Sequence, residues 1–164
     1  MAITDALVPE YDHEMTVTRK VLARAAEDKF AFKPHEKSMT LGRLASHVAD
    51  ILEWGHTILN QPEFNMTEGS YQPKNAATAA ELLTMFDDNV RAIRAILAGK
   101  SDAELMSMWV FKQNGKEMFS MPRAAAWRSW VMSHMIHHRG QLSVYLRHTG
   151  SKVPGIYGPS ADES

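Results

Sequence analysis

Between Pro122 and Thr149 the chain keeps one helical period, and two positions of its inward stripe, Trp127, Val131, His134, His138, Leu142 and Tyr145, are histidines. A helix this long must bury that face against other helices, so the period fixes a helical fold and puts two imidazoles into it. His134 and His138 are four residues apart, stacked on one face about 6 Å apart along the axis, which lets both reach a single ion. The pattern lacks the neighbouring Glu of a zincin motif, so its weight comes from its core placement. His47, in Leu44-Ala45-Ser46-His47-Val48-Ala49, occupies an apolar stripe of an earlier helix, where a neutral imidazole needs a partner. Three nitrogens from two helices then cap one face of a divalent ion. His137 is the rival ligand, three residues from His134. Its stripe, Trp130, Ser133, Gln141 and His148, is more polar, which places it at the surface, at an interface or behind a ligand. His13, His35, His56 and His148 have no partner spacing and are expected to be exposed.

Three further helices precede this one, which predicts an all-α fold in a single domain over residues 1–164. The first spans about Asp5 or Pro9 to Asp28 on the stripe Leu7, Tyr11, Thr18, Leu22 and Ala25, with Pro9 tolerated in its first turn. The second starts at the N-cap Thr40, carries Leu44, His47, Ile51, Trp54 and Ile58, and stops at Pro62. A polar connection covers Pro62 to Ala77. The third opens with the capping box Thr78-Ala79-Ala80-Glu81 and runs through Leu82, Phe86, Ile93 and Leu97 to Gly99. Between helices three and four lies a small irregular insertion: a short turn capped by Ser101 and Glu104, then apolar pieces flanking Asn114-Gly115 that predict a hairpin. Gly150 ends the fourth helix, and Val153 to Pro159 reads as an ordered loop before a loose end.

Composition excludes several chemistries. Eighteen Lys and Arg against 19 Asp and Glu, with no basic cluster, do not make a surface that tracks phosphates. No apolar run approaches the roughly 18 residues that span a bilayer, and the N-terminus has no leader pattern. The chain therefore reads as a soluble cytoplasmic protein that binds neither nucleic acid nor membrane. It has no Cys, so a metal must take nitrogen or oxygen donors, and a nucleophilic sulfur must arrive with a cosubstrate. Three imidazoles leave a coordination position open, as catalytic sites do and closed structural sites do not. Zn or Ni suits such donors best, with Mn and Fe also accommodated. Trp54, Tyr145 and most of the 11 Met are expected to pack the core or line a pocket mouth.

Read together, Glu14 with Thr18-Arg19 and Leu22, Lys33-Pro34-His35, Leu41-Gly42 with Leu44-Ala45 and His47, and His134 with His138-Arg139-Gly140-Gln141-Leu142 resemble the DinB family of DinB/YfiT-like helical bundle metalloproteins. The tail Ile156-Tyr157-Gly158-Pro159-Ser160-Ala161-Asp162 resembles that of one branch. The resemblance implies a four-helix bundle of unusual connectivity, a divalent metal held by His47, His134 and His138, and a homodimer, for which Trp130 and Val144 lie off the inward stripe. It also implies a small-molecule substrate, because related proteins include metal-dependent S-transferases that use low-molecular-weight thiols and a maleylpyruvate isomerase. The expected function is a metal-dependent enzyme activating an external thiol or water, of transferase or hydrolase type. The alternative is a non-catalytic dimeric metal-binding module with a structural or stress-response role. Direct action on DNA is suggested by the family name alone, and the charge balance speaks against it.

Two further residues are candidates for catalysis. Glu14, between Tyr11 and Thr18, is a fourth ligand, an orienting partner for a histidine, a base toward bound water, or a solvated helix charge. Arg139, with Gln141, binds a substrate carboxylate or fixes the helices.

Overall fold

The first helix, α1 (Ile3–Leu22), belongs to a computed structural model that describes residues 1–163. Its free N-terminal N–H groups meet carboxylates: Asp5 accepts from Ala2 N–H at 2.8 Å, and Asp102 from Ile3 N–H at 2.7 Å. Because α1 starts earlier than expected, Pro9 lies in its second turn and removes one backbone hydrogen bond there. The helix also stops at Leu22, and only a 3-10 turn follows at Glu27–Lys29. The single second helix expected from Thr40 to Pro62 is two: α2 (Leu41–Asp50), capped by Thr40 Oγ1 on Arg43 N–H at 3.2 Å, and α3 (Glu53–Asn60). Next come α4 (Ala79–Ala98), capped by Thr78, and α5 (Asp102–Met106), closed by a reciprocal box between Ser101 and Glu104.

The all-α expectation is corrected by a three-stranded mixed sheet. β1 (Glu63–Met66) pairs in parallel with β2 (Met108–Gln113), and β2 pairs antiparallel with β3 (Lys116–Pro122). The chain is 56% helical and 10% strand. The hairpin expected at Asn114-Gly115 forms with both turn residues at positive φ, 50° and 80°. β1 falls where a polar loop is expected, since four residues carry too little alternation to be read as a strand. Its backbone partner is a strand distant in sequence. Asn65 Oδ1 accepts from Gly115 N–H at 2.9 Å, tying the β1 edge to the turn. The register lines up Phe64, Phe111 and Phe119 across the three strands. The stacked Phe111 and Phe119 rings are 5.3 Å apart, and this row packs on Trp54 and Trp130.

The last helix is continuous from Arg123 to His148 but not uniform: α6 (Arg123–Ala126), a π-helical stretch over Trp127–Ser133, then α7 (His134–His148). A π turn holds one residue more than an α turn. Downstream of it the buried stripe is Met135, Arg139, Leu142 and Leu146, shifted by one residue from the expected His134, His138 and Tyr145. The two histidines therefore flank the core, half-buried. Gly150, at φ 76°, ends the helix with Ser151 N–H on Leu146 C=O and Gly150 N–H on Arg147 C=O, a Schellman closure.

α1 packs on α4 and α7, and α2 packs on the same two helices, so the four close a ring that is not sequential. Leu44, Phe86, Met135 and Leu142 are buried within it, and Trp127 lies 5.6 Å from the Tyr11 ring. No helix among the described residues is long and apolar enough to cross a membrane.

Where α3 meets the π stretch, a Cβ at Gly55 would lie 2.7 Å from Trp127 Cζ3 and 3.2 Å from Ile93 Cγ2. Gly55→Ala is therefore expected to lower the free energy of unfolding by about 1–3 kcal/mol. Gly140→Ala on α7, with no atom within 4 Å of the new Cβ, is expected to raise it by about 0.5–1 kcal/mol. Urea titrations with unchanged m-values measure both.

Candidate metal centre

α2 and α7 pack side by side, which brings His47 against His134 and His138. One nitrogen of each ring lies within 4.8 Å of one nitrogen of the other two. Ring centroids are 5.2 Å apart for His47 and His134, 4.7 Å for His47 and His138, and 4.8 Å for His134 and His138. On α7 the Nε2 atoms of His134 and His138 face each other at 3.0 Å.

The remaining contacts set the tautomers. His138 Nδ1 lies 2.7 Å from Gln141 Oε1, which only accepts, so Nδ1 carries the proton and Nε2 keeps a lone pair. The Trp130 backbone carbonyl favours a proton on the His134 ring, whose Nε2 faces that of His138. Two lone pairs 3.0 Å apart repel unless a cation or proton lies between them. His47 Nδ1 is buried and has no hydrogen-bond partner among the described residues. This donor set fits a divalent ion, as the sequence expectation requires, and Gln141 holds His138 in the ligating tautomer.

Burial is the main cause that keeps the three rings neutral. It pushes His47 down to about 4, with the charges of His138, His134 and Arg43 adding to the effect. His134 and His138 are lowered by burial first and by neighbouring histidines. Neutral imidazole is the form that binds metal, so little proton competition remains at pH 7. No carboxylate is among the groups that act on the three rings. His137 is exposed, its ring 5.0 Å from that of His138, and it is not among the clustered donors. His13, His35, His56 and His148 are exposed, as expected.

Glu14 and Arg139 are brought to each other. Arg139 Nη1 lies 2.7 Å from Glu14 Oε2, and the residues are 1% and 6% exposed. The guanidinium also donates to Thr18 Oγ1 at 3.0 Å and to the Tyr157 hydroxyl at 2.6 Å, while that hydroxyl donates to Glu14 at 2.9 Å. This cluster ties α1, α7 and the C-terminal tail together. Tyr157 has no periodic signal, and its tail motif resembles that of one branch without pointing to this contact. Gln141 has a signal, its position three residues after His138. Pairing with Glu14 and burial raise Tyr157 above its ordinary range, burial being the larger cause.

A cleft of about 420 Å³, lined by Trp54, Tyr71, Glu53 and Asn89 among others, contains none of the three histidines. At its edge the Tyr71 hydroxyl donates to the buried Asp50 carboxylate at 2.6 Å.

The lowered histidines give a pH signature to metal-free protein. Between pH 6.5, the ordinary value, and about 4, the unfolded chain takes up a proton at His47 that the folded chain does not. Stability is therefore full above that window and falls as pH falls through it. Urea midpoints of chelator-treated protein are expected to drop from pH 7 to pH 5, before most carboxylates titrate, and His47→Gln is expected to flatten the slope.

Comparison with known proteins bears on the fold and the family. The chain is 23% identical to the protein YrdA of Bacillus subtilis over 97% of its own length and 90% of the relative's. It is 26% identical to YjoA of the same organism, over 92% and 93% of the two chains. Its fold is that of a DinB-like protein of Bacillus cereus, at TM-score 0.72 and 21% identity over 95% of this chain and 98% of the other. The crystal structure of YjoA, a DinB-like protein, superposes at TM-score 0.69 and 20% identity, covering 91% and 96%. The sequence profile of the DinB family matches residues 3–164, so the chain belongs to the DinB family.

Proposed function

We propose that the protein is a divalent-metal-dependent enzyme of the thiol S-transferase or hydrolase type. The observation that carries the reading is a cluster of three half-buried imidazoles with no fourth His, Asp or Glu donor among the described residues. His47, His134 and His138 would hold the ion, and the half-exposed side of the cluster would admit a small molecule. A bound divalent ion supplies Lewis acidity that makes water or an external thiol nucleophilic near neutral pH. With no cysteine in the chain, sulfur chemistry requires an external thiol, and the cytoplasm keeps such thiols reduced. Zinc or nickel suits the all-imidazole set. Gln141 orients His138, and the Glu14–Arg139 pair positions α7 against α1.

Replacing any of the three histidines by Ala is expected to remove most of the bound metal, read by elemental analysis of protein purified without a polyhistidine tag; His137→Ala is expected to retain it. Cobalt-substituted protein is expected to change its visible spectrum on titration with azide. An unmoved spectrum would count against the open position and leave a structural ion as the account.

The same reading includes a homodimer through the outer face of α7, where Val144 is 55% exposed. Trp130 does not serve it, being engaged with Phe111 and Phe119. Light scattering is expected to give about twice the chain mass of 18.4 kDa; a monomer mass at micromolar concentration would refute it.

A further inference from the structure

Arg43 stands on α2 one turn before His47, at i and i+4, and so on the same helix face. Its Nη1 is buried and has no hydrogen-bond partner among the described residues. A guanidinium carries five donors and cannot give up its charge, so a buried N–H without an acceptor is costly and calls for one from outside the chain. Asp50, two turns along from Arg43, also keeps one oxygen, Oδ1, without a partner, so these two groups do not satisfy each other. The other carboxylates of this part of the fold are engaged: Glu14 with Arg139, and Glu53 with Lys74.

The field at the triad has one sign. The charge of Arg43 is felt at both His47 and His138, and no carboxylate opposes it at any of the three rings. It is also felt at Tyr71, whose hydroxyl donates to Asp50. A divalent ion on neutral imidazoles would add to this positive charge. A ligand that reaches the ion therefore gains most if it is an anion with planar acceptor oxygens.

We propose that Arg43 is a specificity-determining residue of this site, binding a carboxylate carried by the same small molecule whose donor atom takes the open position on the ion. The spacing suits a molecule whose two groups are separated by about one helical turn or less. The proposal rests on the open metal site proposed above and adds to it the chemical class of the ligand.

The test uses cobalt-loaded full-length protein titrated with 3-mercaptopropionate and with 2-mercaptoethanol, thiols that differ in the carboxylate, and reads dissociation constants from the visible spectrum. Wild type, Arg43→Gln and Arg43→Lys are compared after their cobalt stoichiometry and thermal unfolding are checked. Wild type is expected to bind the carboxylate thiol about tenfold or more tighter. In Arg43→Gln that advantage is expected to fall to near onefold while the 2-mercaptoethanol constant stays unchanged. No advantage in wild type, or an equal one in Arg43→Gln from chelation of the ion by both groups of the probe, would overturn the proposal. If the glutamine variant does not fold, Arg43→Lys carries the decision. An ammonium lacks the two-pronged contact, so the advantage is expected to shrink, and an undiminished one overturns the proposal. A wild-type spectrum moved by neither thiol would overturn the open-site reading itself, and this inference with it.

Discussion

The π-helical stretch Trp127–Ser133 is the constraint on which the rest of the structure turns. By adding a residue to its turn it rotates everything after it on the last helix. Without that rotation, His134 and His138 would sit at the centre of the buried face and Arg139 would lie to one side. With it, Arg139 enters the core between Met135 and Leu142, and the histidines move to the rim, where they are half-exposed. The stretch is held from both sides: Trp127 packs on Tyr11 and against Gly55, and Trp130 packs on the phenylalanine row of the sheet. The sheet thus bears on the histidine cluster without contributing a residue to it. It buttresses the segment that sets the phase of α7.

A guanidinium driven into the core must be paired, because an isolated buried charge costs several kcal/mol and often more. Glu14 meets it from α1, Thr18 and Tyr157 complete the hydrogen bonds, and the tail is drawn in as a consequence. Such a pair contributes little net stability over a well-packed apolar substitute, but it is intolerant of losing one partner. Its structural effect is to fix the angle of α7 against α1, and with it the direction in which His134 and His138 face α2. The cluster also separates two charge environments. Around Arg139 the positive charge is matched within the chain, whereas around Arg43 and the histidines it is not.

Local signals in the sequence were sufficient wherever the cause of a structure lies within a few residues. Thr40, Thr78 and Ser101 cap helices by bonds to the backbone three residues on, Asn114-Gly115 makes its hairpin, and Gly150 ends the last helix. His134 and His138 were legible as a pair because i and i+4 meet on any helix, and His47 because a lone imidazole in an apolar stripe requires a partner. The three do cluster. β1 was not legible, since its four residues owe their extended form to hydrogen bonds with β2, and the all-α expectation failed for that reason.

The sequence by itself determined which donor atoms exist: imidazoles at helical spacing, no thiolate, and a carboxylate and a guanidinium on the first and last helices. Tertiary structure alone decided how those groups are distributed. Phase along a helix can be extrapolated from sequence only while the turn stays uniform, and the π stretch interrupts it at Trp127–Ser133. Glu14 and Arg139, whose roles the sequence leaves open, are paired with each other, while Arg43, one turn from His47, has a buried N–H that nothing among the described residues accepts. The physical reason is that a side chain's partner depends on the relative rotation of packed helices, and that rotation is set by contacts between segments far apart in the chain.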